Sequence, residues 1–168
     1  MMSNLINKTM KGFTLVEMII STSILSILML VLSNAFGSLI DVQLSSSAKS
    51  SVDQDGRYII LKLSRNVQDA SAIVGPASPG SSISATLKSA IDSLNYTYSL
   101  NGGNLQVVSN GAPINLNSYD TTISNLNFIR SGVGDNTDTL QVKFTVTSKT
   151  VLKGLPQIKT YQTTLSLQ

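Results

Sequence analysis

Residues 13–40 read FTLVEMIISTSILSILMLVLSNAFGSLI, and this stretch decides the fold. Glu17 is its only charged residue. About 20 residues of α-helix span the roughly 30 Å hydrocarbon core of a bilayer. Lys8 and Lys11 precede the run without any acidic residue, so the positive-inside rule places the N-terminus in the cytoplasm. The stretch therefore predicts one membrane-spanning helix, with the remainder of the chain on the outer side.

A removable secretory signal peptide is the alternative interpretation of this N-terminus. Such a signal has an apolar core of about 7–15 residues, and a cleavage site of small residues follows it. The run in this chain is longer, and no such site follows it promptly. The pattern therefore favours a retained helix over a removed signal.

The composition argues against a nucleic-acid-binding protein and against several kinds of enzyme. The 168 residues are enough for one domain with an appendage. The net charge of +3 includes Lys8 and Lys11, and the remaining charges are too balanced to indicate a nucleic-acid-binding surface. Because the chain has no cysteine and no histidine, it lacks disulfides, thiolate metal sites and catalytic triads of the usual type. We expect neither an enzyme nor a bound cofactor.

A helical pattern continues beyond the apolar run. No proline occurs before Pro76, and apolar residues recur at the spacing of an amphipathic helix. These residues are Val52, Ile59, Leu63, Val67 and Ala70. Gly56 weakens such a helix by about 1 kcal/mol relative to alanine, and Gly75-Pro76 ends it. We expect a transmembrane and assembly helix over residues 13–40 and an amphipathic extension over residues 41–75.

The C-terminal part, residues 76–168, changes to the period of two that is typical of β-strands. The strand candidates are residues 94–100, 105–109, 123–129, 140–147 and 158–167. Asn101-Gly102-Gly103 predicts a hairpin turn between the first two, whereas residues 82–93 fit either a strand or a short helix. We predict an α+β fold in which three to five antiparallel strands pack one apolar face on the amphipathic helix.

The start of the chain resembles the prepilin motif of type IV pilins and type II secretion pseudopilins. The resemblance lies in Lys11-Gly12-Phe13-Thr14-Leu15-Val16-Glu17 and the apolar run behind it, and it covers residues 8–35. Its features are a basic leader that ends in glycine, then phenylalanine, then glutamate four residues later. A second resemblance, over residues 51–109, is to minor pilins and pseudopilins of the J/W type.

The resemblance implies how the chain is processed and assembled. Prepilin peptidase would remove residues 1–12 by cutting between Gly12 and Phe13, and the new amine of Phe13 would be N-methylated. In a fibre, Glu17 would meet the amine of a neighbouring subunit, since a buried carboxylate requires an opposite charge. The implied partners are prepilin peptidase, other pilin or pseudopilin subunits, the assembly platform in the inner membrane, and membrane lipid, but not nucleic acid. The implied location is the inner membrane and later an extracytoplasmic pilus or pseudopilus.

Two features of the chain favour a minor pilin or pseudopilin. Without cysteines the chain lacks the C-terminal disulfide loop of many major pilins. The presence of Glu17 argues against the fibre-tip subunit, which typically lacks this residue. The machine that uses the subunit stays open among secretion, twitching, adhesion and DNA uptake. The alternatives are a membrane-anchored extracytoplasmic binding or sensor module that is neither processed nor polymerised, and a β-domain that signal peptidase releases.

Two acidic stretches bear some likeness to calcium sites. Asp53-Gln54-Asp55-Gly56 resembles the start of a calcium loop, but the later ligands are absent and the stretch fits a helix. We therefore interpret it as a solvated helix face. Asp135-Asn136-Thr137-Asp138 could ligate calcium in a loop, although a simple turn is the favoured interpretation.

Overall fold

The structure is a computed structural model that describes residues 12–132, 138–152 and 155–167, with only the backbone of Leu152. The chain forms two compact units, Met1–Val42 and Gln43–Gln168. The predicted leader apart from Gly12 lies outside the described residues, as does Asp135.

The first unit contains the beginning of one long helix, α1, which runs from Leu15 to Gln68. All the described residues of this unit are exposed, including the apolar ones. The predicted apolar helix is therefore confirmed, although it begins two residues later than Phe13. Gly56 lies inside the same helix and does not end it.

The second unit contains the amphipathic part of α1. One face of this part is buried, through Ala48, Val52, Gly56, Ile59, Leu63 and Val67. The spacings of three and four residues place these side chains on one side of the helix, as the sequence pattern predicts. The helix therefore packs against the β-rich part of the chain, which confirms the α+β fold.

The predicted extension of the helix as far as residue 75 is wrong. The helix ends at Gln68, and strand β1, Ala70–Gly75, follows it. Ala70 and Ile73 are buried, and a spacing of three normally indicates a helix. In β1 an irregular register between Ala70 and Ala72 lets both side chains lie on the buried face of a strand. The β-rich part therefore begins six residues before the expected boundary at residue 76.

Nine strands are present in the described residues, more than the predicted three to five. They are β1 Ala70–Gly75, β2 Gly80–Ser82, β3 Ala85–Ser89, β4 Asn95–Asn101, β5 Asn104–Val108, β6 Ile114–Asn115, β7 Thr121–Ser131, β8 Thr139–Leu152 and β9 Leu155–Ser166. They form two antiparallel sheets, in the orders β1-β3-β4-β5-β6 and β2-β7-β8-β9. Strands as short as β2 and β6 show no period in the sequence, which is why the pattern misses them.

Two local predictions are confirmed in detail. The hairpin between β4 and β5 turns at Gly102 and Gly103, whose φ angles are 56° and 78°. Positive φ at both central residues matches the twist of an antiparallel pair and favours glycine at each. In β8 the alternating apolar side chains, Leu140, Val142, Phe144 and Val146, are all fully buried.

One core joins α1 to both sheets. Ile59 and Leu63 of the helix, Tyr98 of the first sheet and Phe144 of the second belong to the same buried cluster. The Phe144 ring stacks on Tyr161 of β9, with 5.5 Å between the ring centroids. Residues from distant parts of the sequence therefore form one hydrophobic core on the buried face of the helix.

Candidate functional site

The predicted cleavage site lies just before the helix. Gly12 and Phe13 are exposed and precede α1. Among the described residues beyond the immediate chain neighbours, no atom lies within 4 Å of the position that a Cβ would take on Gly12. Phe13 is 77% exposed. Exposed, non-helical backbone at a small residue is the kind of segment that proteases cut. The geometry is therefore compatible with cleavage between Gly12 and Phe13.

Glu17 forms a reciprocal cap with Thr14 at the start of α1. Its Oε2 atom accepts hydrogen bonds from the backbone N–H and the Oγ1 hydroxyl of Thr14, both at 3.1 Å. In return the backbone N–H of Glu17 donates to Thr14 Oγ1, at 3.3 Å. This is a capping box, in which Thr at the N-cap and Glu three residues later satisfy N–H groups that have no partner within the helix.

The capping box supplies a partner for Glu17 that the sequence interpretation missed. The pattern Thr14-x-x-Glu17 before an apolar run is itself the signal for such a box. Both bonds end on Oε2, so the second carboxylate oxygen takes no part in the capping box. The pairing of Glu17 with the amine of a neighbouring subunit stays a prediction.

The first part of α1 suits a membrane. It contains a window of 18 residues with a mean hydropathy of 2.4, so α1 is long and apolar enough to cross a bilayer. The hydroxyls of Thr22, Ser23 and Ser26 each donate to a backbone carbonyl four residues earlier, at 2.8–2.9 Å. Polar groups satisfied within the helix need no water, which lowers the cost of placing them in lipid.

Asp53 joins the helix to the second sheet rather than facing solvent alone. Its Oδ1 atom lies 2.6 Å from Lys159 Nζ and accepts a hydrogen bond from the Tyr161 hydroxyl at 3.0 Å. The same hydroxyl lies 3.2 Å from the backbone oxygen of Val52. The interpretation of this stretch as a solvated helix face is therefore wrong for Asp53, because its partners lie more than 100 residues away.

Asp55 joins the helix to the start of β7. Its Oδ2 atom accepts hydrogen bonds from the backbone N–H of Ser118 at 2.9 Å and from its hydroxyl at 2.8 Å. A third bond, of 2.5 Å, comes from the hydroxyl of the buried Thr121. The solvated-face interpretation is therefore wrong for Asp55 too. Both carboxylates hold α1 on the β-rich part of the second unit.

Asp138 forms a buried ion pair with Arg130. It is 4% exposed, and its Oδ2 atom accepts a 3.0 Å hydrogen bond from Nε of Arg130 and a second one from Nη2. A third Arg130 nitrogen, Nη1, donates to the backbone oxygen of Pro76 at 3.2 Å. An arginine that already balances this carboxylate disfavours its use as a calcium ligand. Asp135, the other acidic residue of the predicted loop, lies outside the described residues.

We expect the contribution of Asp53 to stability to disappear in acid. Hydrogen bonds from Lys159 and Tyr161 lower the pKa of Asp53 below its ordinary value of 3.8. Because the pKa of Asp53 is lower in the folded state, its ionised carboxylate stabilises the fold fully above pH 3.8. This stabilisation is lost as the pH falls through the folded-state pKa. In urea unfolding, Asp53→Asn should be less stable than wild type near neutral pH and match it in strong acid. Equal midpoints at neutral pH would contradict the prediction.

A family model described as the prokaryotic N-terminal methylation motif matches residues 7–33 of the chain. This motif is the prepilin signal of type IV pilins and pseudopilins. It covers the predicted cleavage site, Phe13, Thr14 and Glu17, and about the first third of α1. Comparison with curated proteins and with solved structures gave no significant match. The motif supports a type IV pilin-like protein that prepilin peptidase processes, and with the apolar helix it fits a membrane-anchored protein.

Proposed function

We propose that this chain is a minor pilin or pseudopilin, which is cut after Gly12 and assembled into a pilus or pseudopilus. The observation that carries the proposal is the methylation motif over residues 7–33. The exposed, non-helical peptide bond after Gly12 supports it, because the peptidase needs access to that bond. The α+β architecture, with a helix packed on antiparallel sheets, is also the plan that the sequence resemblance implies.

The mechanism we propose is assembly rather than catalysis, without a cofactor or nucleic acid. Before assembly the apolar part of α1 crosses the inner membrane once, with the N-terminus in the cytoplasm. The assembly platform then moves the subunit into a fibre in which the apolar helices of other pilin or pseudopilin subunits replace lipid. This exchange suits the exposed apolar residues of α1, because either environment keeps them out of water.

Glu17 sets the register of a subunit in this proposal. Its Oε2 atom stays bonded to Thr14. Its other carboxylate oxygen accepts a hydrogen bond from the methylated amine of Phe13 in a neighbouring subunit. Moving each charge from water into an apolar fibre core costs free energy. The attraction between the two opposite charges offsets this cost only when they are in contact. A subunit displaced along the fibre would leave both charges unpaired, so the correct register is favoured.

Co-expression of the chain with a prepilin peptidase is expected to remove residues 1–12. Mass spectrometry and N-terminal sequencing should then find a mature chain that begins with a methylated Phe13. Replacing Gly12 by leucine should leave the precursor uncut, because a large side chain would block the approach of the peptidase to the backbone.

Gly37→Ala is the matched control, since Gly37 lies within α1, well beyond the cleavage site, and has open space around it. This variant should be cut like the wild type. A chain that keeps Met1 in the presence of active peptidase would contradict the proposal and indicate a permanent membrane tether. A chain that begins beyond about residue 35 would instead indicate release by signal peptidase.

A further inference from the structure

The sequence contains two Asn-Gly pairs, and the fold places them in different surroundings. Asn101-Gly102 lies in the hairpin between β4 and β5, whereas Asn110-Gly111 lies in the loop that joins β5 to β6, over residues 109–113. A backbone nitrogen can attack the side-chain amide of the asparagine before it, and glycine has no side chain that hinders the approach. Each pair is therefore a candidate site for deamidation.

Deamidation closes a five-membered ring within the chain. The backbone nitrogen of the glycine gives up its proton and forms a bond to Cγ of the asparagine, while the bond between Cγ and Nδ2 breaks. The side-chain nitrogen takes up the proton and leaves as ammonia. Water then opens the succinimide ring at one of its two carbonyls, which gives aspartate or isoaspartate. Both products have a carboxylate that is ionised near neutral pH, so the chain gains one negative charge.

The backbone conformation of the asparagine controls whether this ring can close. Closure requires the glycine nitrogen and Cγ to lie on the same side of the bond between Cα and the carbonyl carbon. The ψ angles of regular strands, near about 135°, and of helices, near about −42°, both hold the two atoms apart. An asparagine in a regular element must first leave it, so hydrogen bonds that hold the backbone there slow the reaction.

The hairpin holds Asn101 in an unreactive conformation. Asn101 is the last residue of β4 and pairs with Asn104 across the turn. Its Nδ2 atom donates a hydrogen bond to Oε1 of Gln106, at 3.4 Å. The carbonyl of Gly103 accepts a 2.8 Å hydrogen bond from the backbone N–H of Ile123, which ties the turn to β7. Ring closure at Asn101 therefore requires this turn to open.

The loop leaves Asn110 without such constraints. Asn110 and Gly111 are exposed and lie outside the strands. Within the described part of the chain, the side chain of Asn110 and the backbone N–H of Gly111 take part in no hydrogen bond. Apart from the chain neighbours, no described atom lies within 4 Å of the position that a Cβ would take on Gly111. The backbone can therefore reach the ring-closing conformation without breaking a hydrogen bond.

We propose that Asn110 is a deamidation site of the folded protein and that the fold protects Asn101. The inference goes beyond the proposed function and depends on neither cleavage nor assembly. Because the ammonia is lost to the solvent, the new charge on the loop between β5 and β6 is permanent. Without Lys8 and Lys11 the chain has ten of its twelve basic residues and nine acidic ones, so one added carboxylate balances the two signs.

Peptide mapping of the detergent-solubilised full-length protein tests this inference. The folded protein, and the same protein unfolded in guanidinium chloride, are incubated at mildly alkaline pH, which helps the attacking nitrogen to lose its proton. Chymotrypsin then cuts after Leu105 and separates the two sites, and mass spectrometry measures the deamidated fraction at each. In the unfolded chain both asparagines should react at similar rates, because glycine follows each of them.

Folding should change the two rates differently. Asn110 should keep its unfolded rate within a factor of about three, whereas Asn101 should react at least about tenfold more slowly than in the unfolded chain, because its turn must open first. Equal rates at the two sites in the folded protein would overturn the inference. A decrease at Asn110 on folding as large as that at Asn101 would also overturn it, since the loop would then protect its asparagine.

Gly111→Ala tests the chemistry without disturbing the fold. The space around Gly111 is open and its φ lies outside the left-handed region, so alanine fits there, whereas Gly102 has a φ of 56° and is unsuitable for such a change. The added methyl group hinders the attacking nitrogen, so deamidation at Asn110 should fall at least about tenfold in this variant. An unchanged rate would mean that the amide is hydrolysed by another route, and the proposed reaction would be wrong.

Discussion

Replacing Glu17 by glutamine is expected to lower the incorporation of this subunit into fibres at least about 100-fold, without loosening the start of the helix. Glutamine at this position still completes a capping box, so the hydrogen bonds with Thr14 are kept. The neutral amide cannot balance the amine of a neighbouring Phe13. Removing one partner of a buried ion pair costs about 3–5 kcal/mol, which corresponds to a factor of about 100 or more in an equilibrium.

The measurement is the ratio of variant to wild-type subunit in purified fibres when both are expressed in the same cells. Cleavage after Gly12 and membrane insertion serve as checks that the variant reaches the membrane normally. Thr14→Val is the matched control, because it removes the capping hydroxyl and keeps the carboxylate. A lost cap costs about 1 kcal/mol of helix stability, so this variant should still be incorporated.

The two variants separate the two roles of Glu17. If Glu17→Gln were incorporated like wild type, the charge pair would not set the register, and the capping box would be the main role of the residue. If Thr14→Val were as poorly incorporated as Glu17→Gln, incorporation would depend on an ordered helix start rather than on the charge of Glu17. Only a defect confined to Glu17→Gln agrees with the proposed pairing of charges.

Replacing Gly56 by alanine is expected to destabilise the second unit by up to about 2 kcal/mol. A Cβ on Gly56 would overlap the ring carbons and the hydroxyl of Tyr161. The ring has little room to move, because it stacks on Phe144 and its hydroxyl is bonded to the backbone of Val52 and to Asp53. Overpacking of this kind costs about 1–3 kcal/mol or more, and the better helix propensity of alanine returns about 1 kcal/mol.

Urea unfolding followed by far-ultraviolet circular dichroism measures this loss in the detergent-solubilised protein. Gly37→Ala is the control in the same helix, and it should not lower the midpoint, because the space around Gly37 is open. Tyr161→Leu removes the ring, so adding Gly56→Ala to it should cost little or even stabilise the domain. Equal effects of Gly56→Ala in both backgrounds would show that Tyr161 is not the cause, because the two substitutions would then be independent.

Local patterns predict much of this chain correctly. The apolar run, the amphipathic face of α1, the glycine turn at Gly102 and Gly103, and the alternation in β8 all follow from the spacing of neighbouring residues. These features depend on helix and strand geometry and on the φ angles that glycine adopts easily. The prepilin signal is of the same kind, since its residues lie next to one another in the sequence.

The errors occur where a residue serves a partner far away in the chain. Ala70 and Ile73 fit a helix by their spacing, and pairing with β3 makes them part of a strand. Asp53 and Asp55 have the spacing of solvated helix residues, but their partners are Lys159, Tyr161, Ser118 and Thr121. No pattern within a short window contains this information, because it depends on which segments meet when the chain folds.

The sequence by itself therefore determined that this protein has an apolar helix with a prepilin start, an amphipathic continuation and an antiparallel β-rich part. Only the tertiary structure decided where the helix ends and how the strands divide into two sheets. It also showed that position 56 needs a glycine, because the Tyr161 ring occupies the place of a Cβ. The physical reason is that periodicity and turn chemistry act between near neighbours, whereas packing and strand pairing join residues that are distant in the chain.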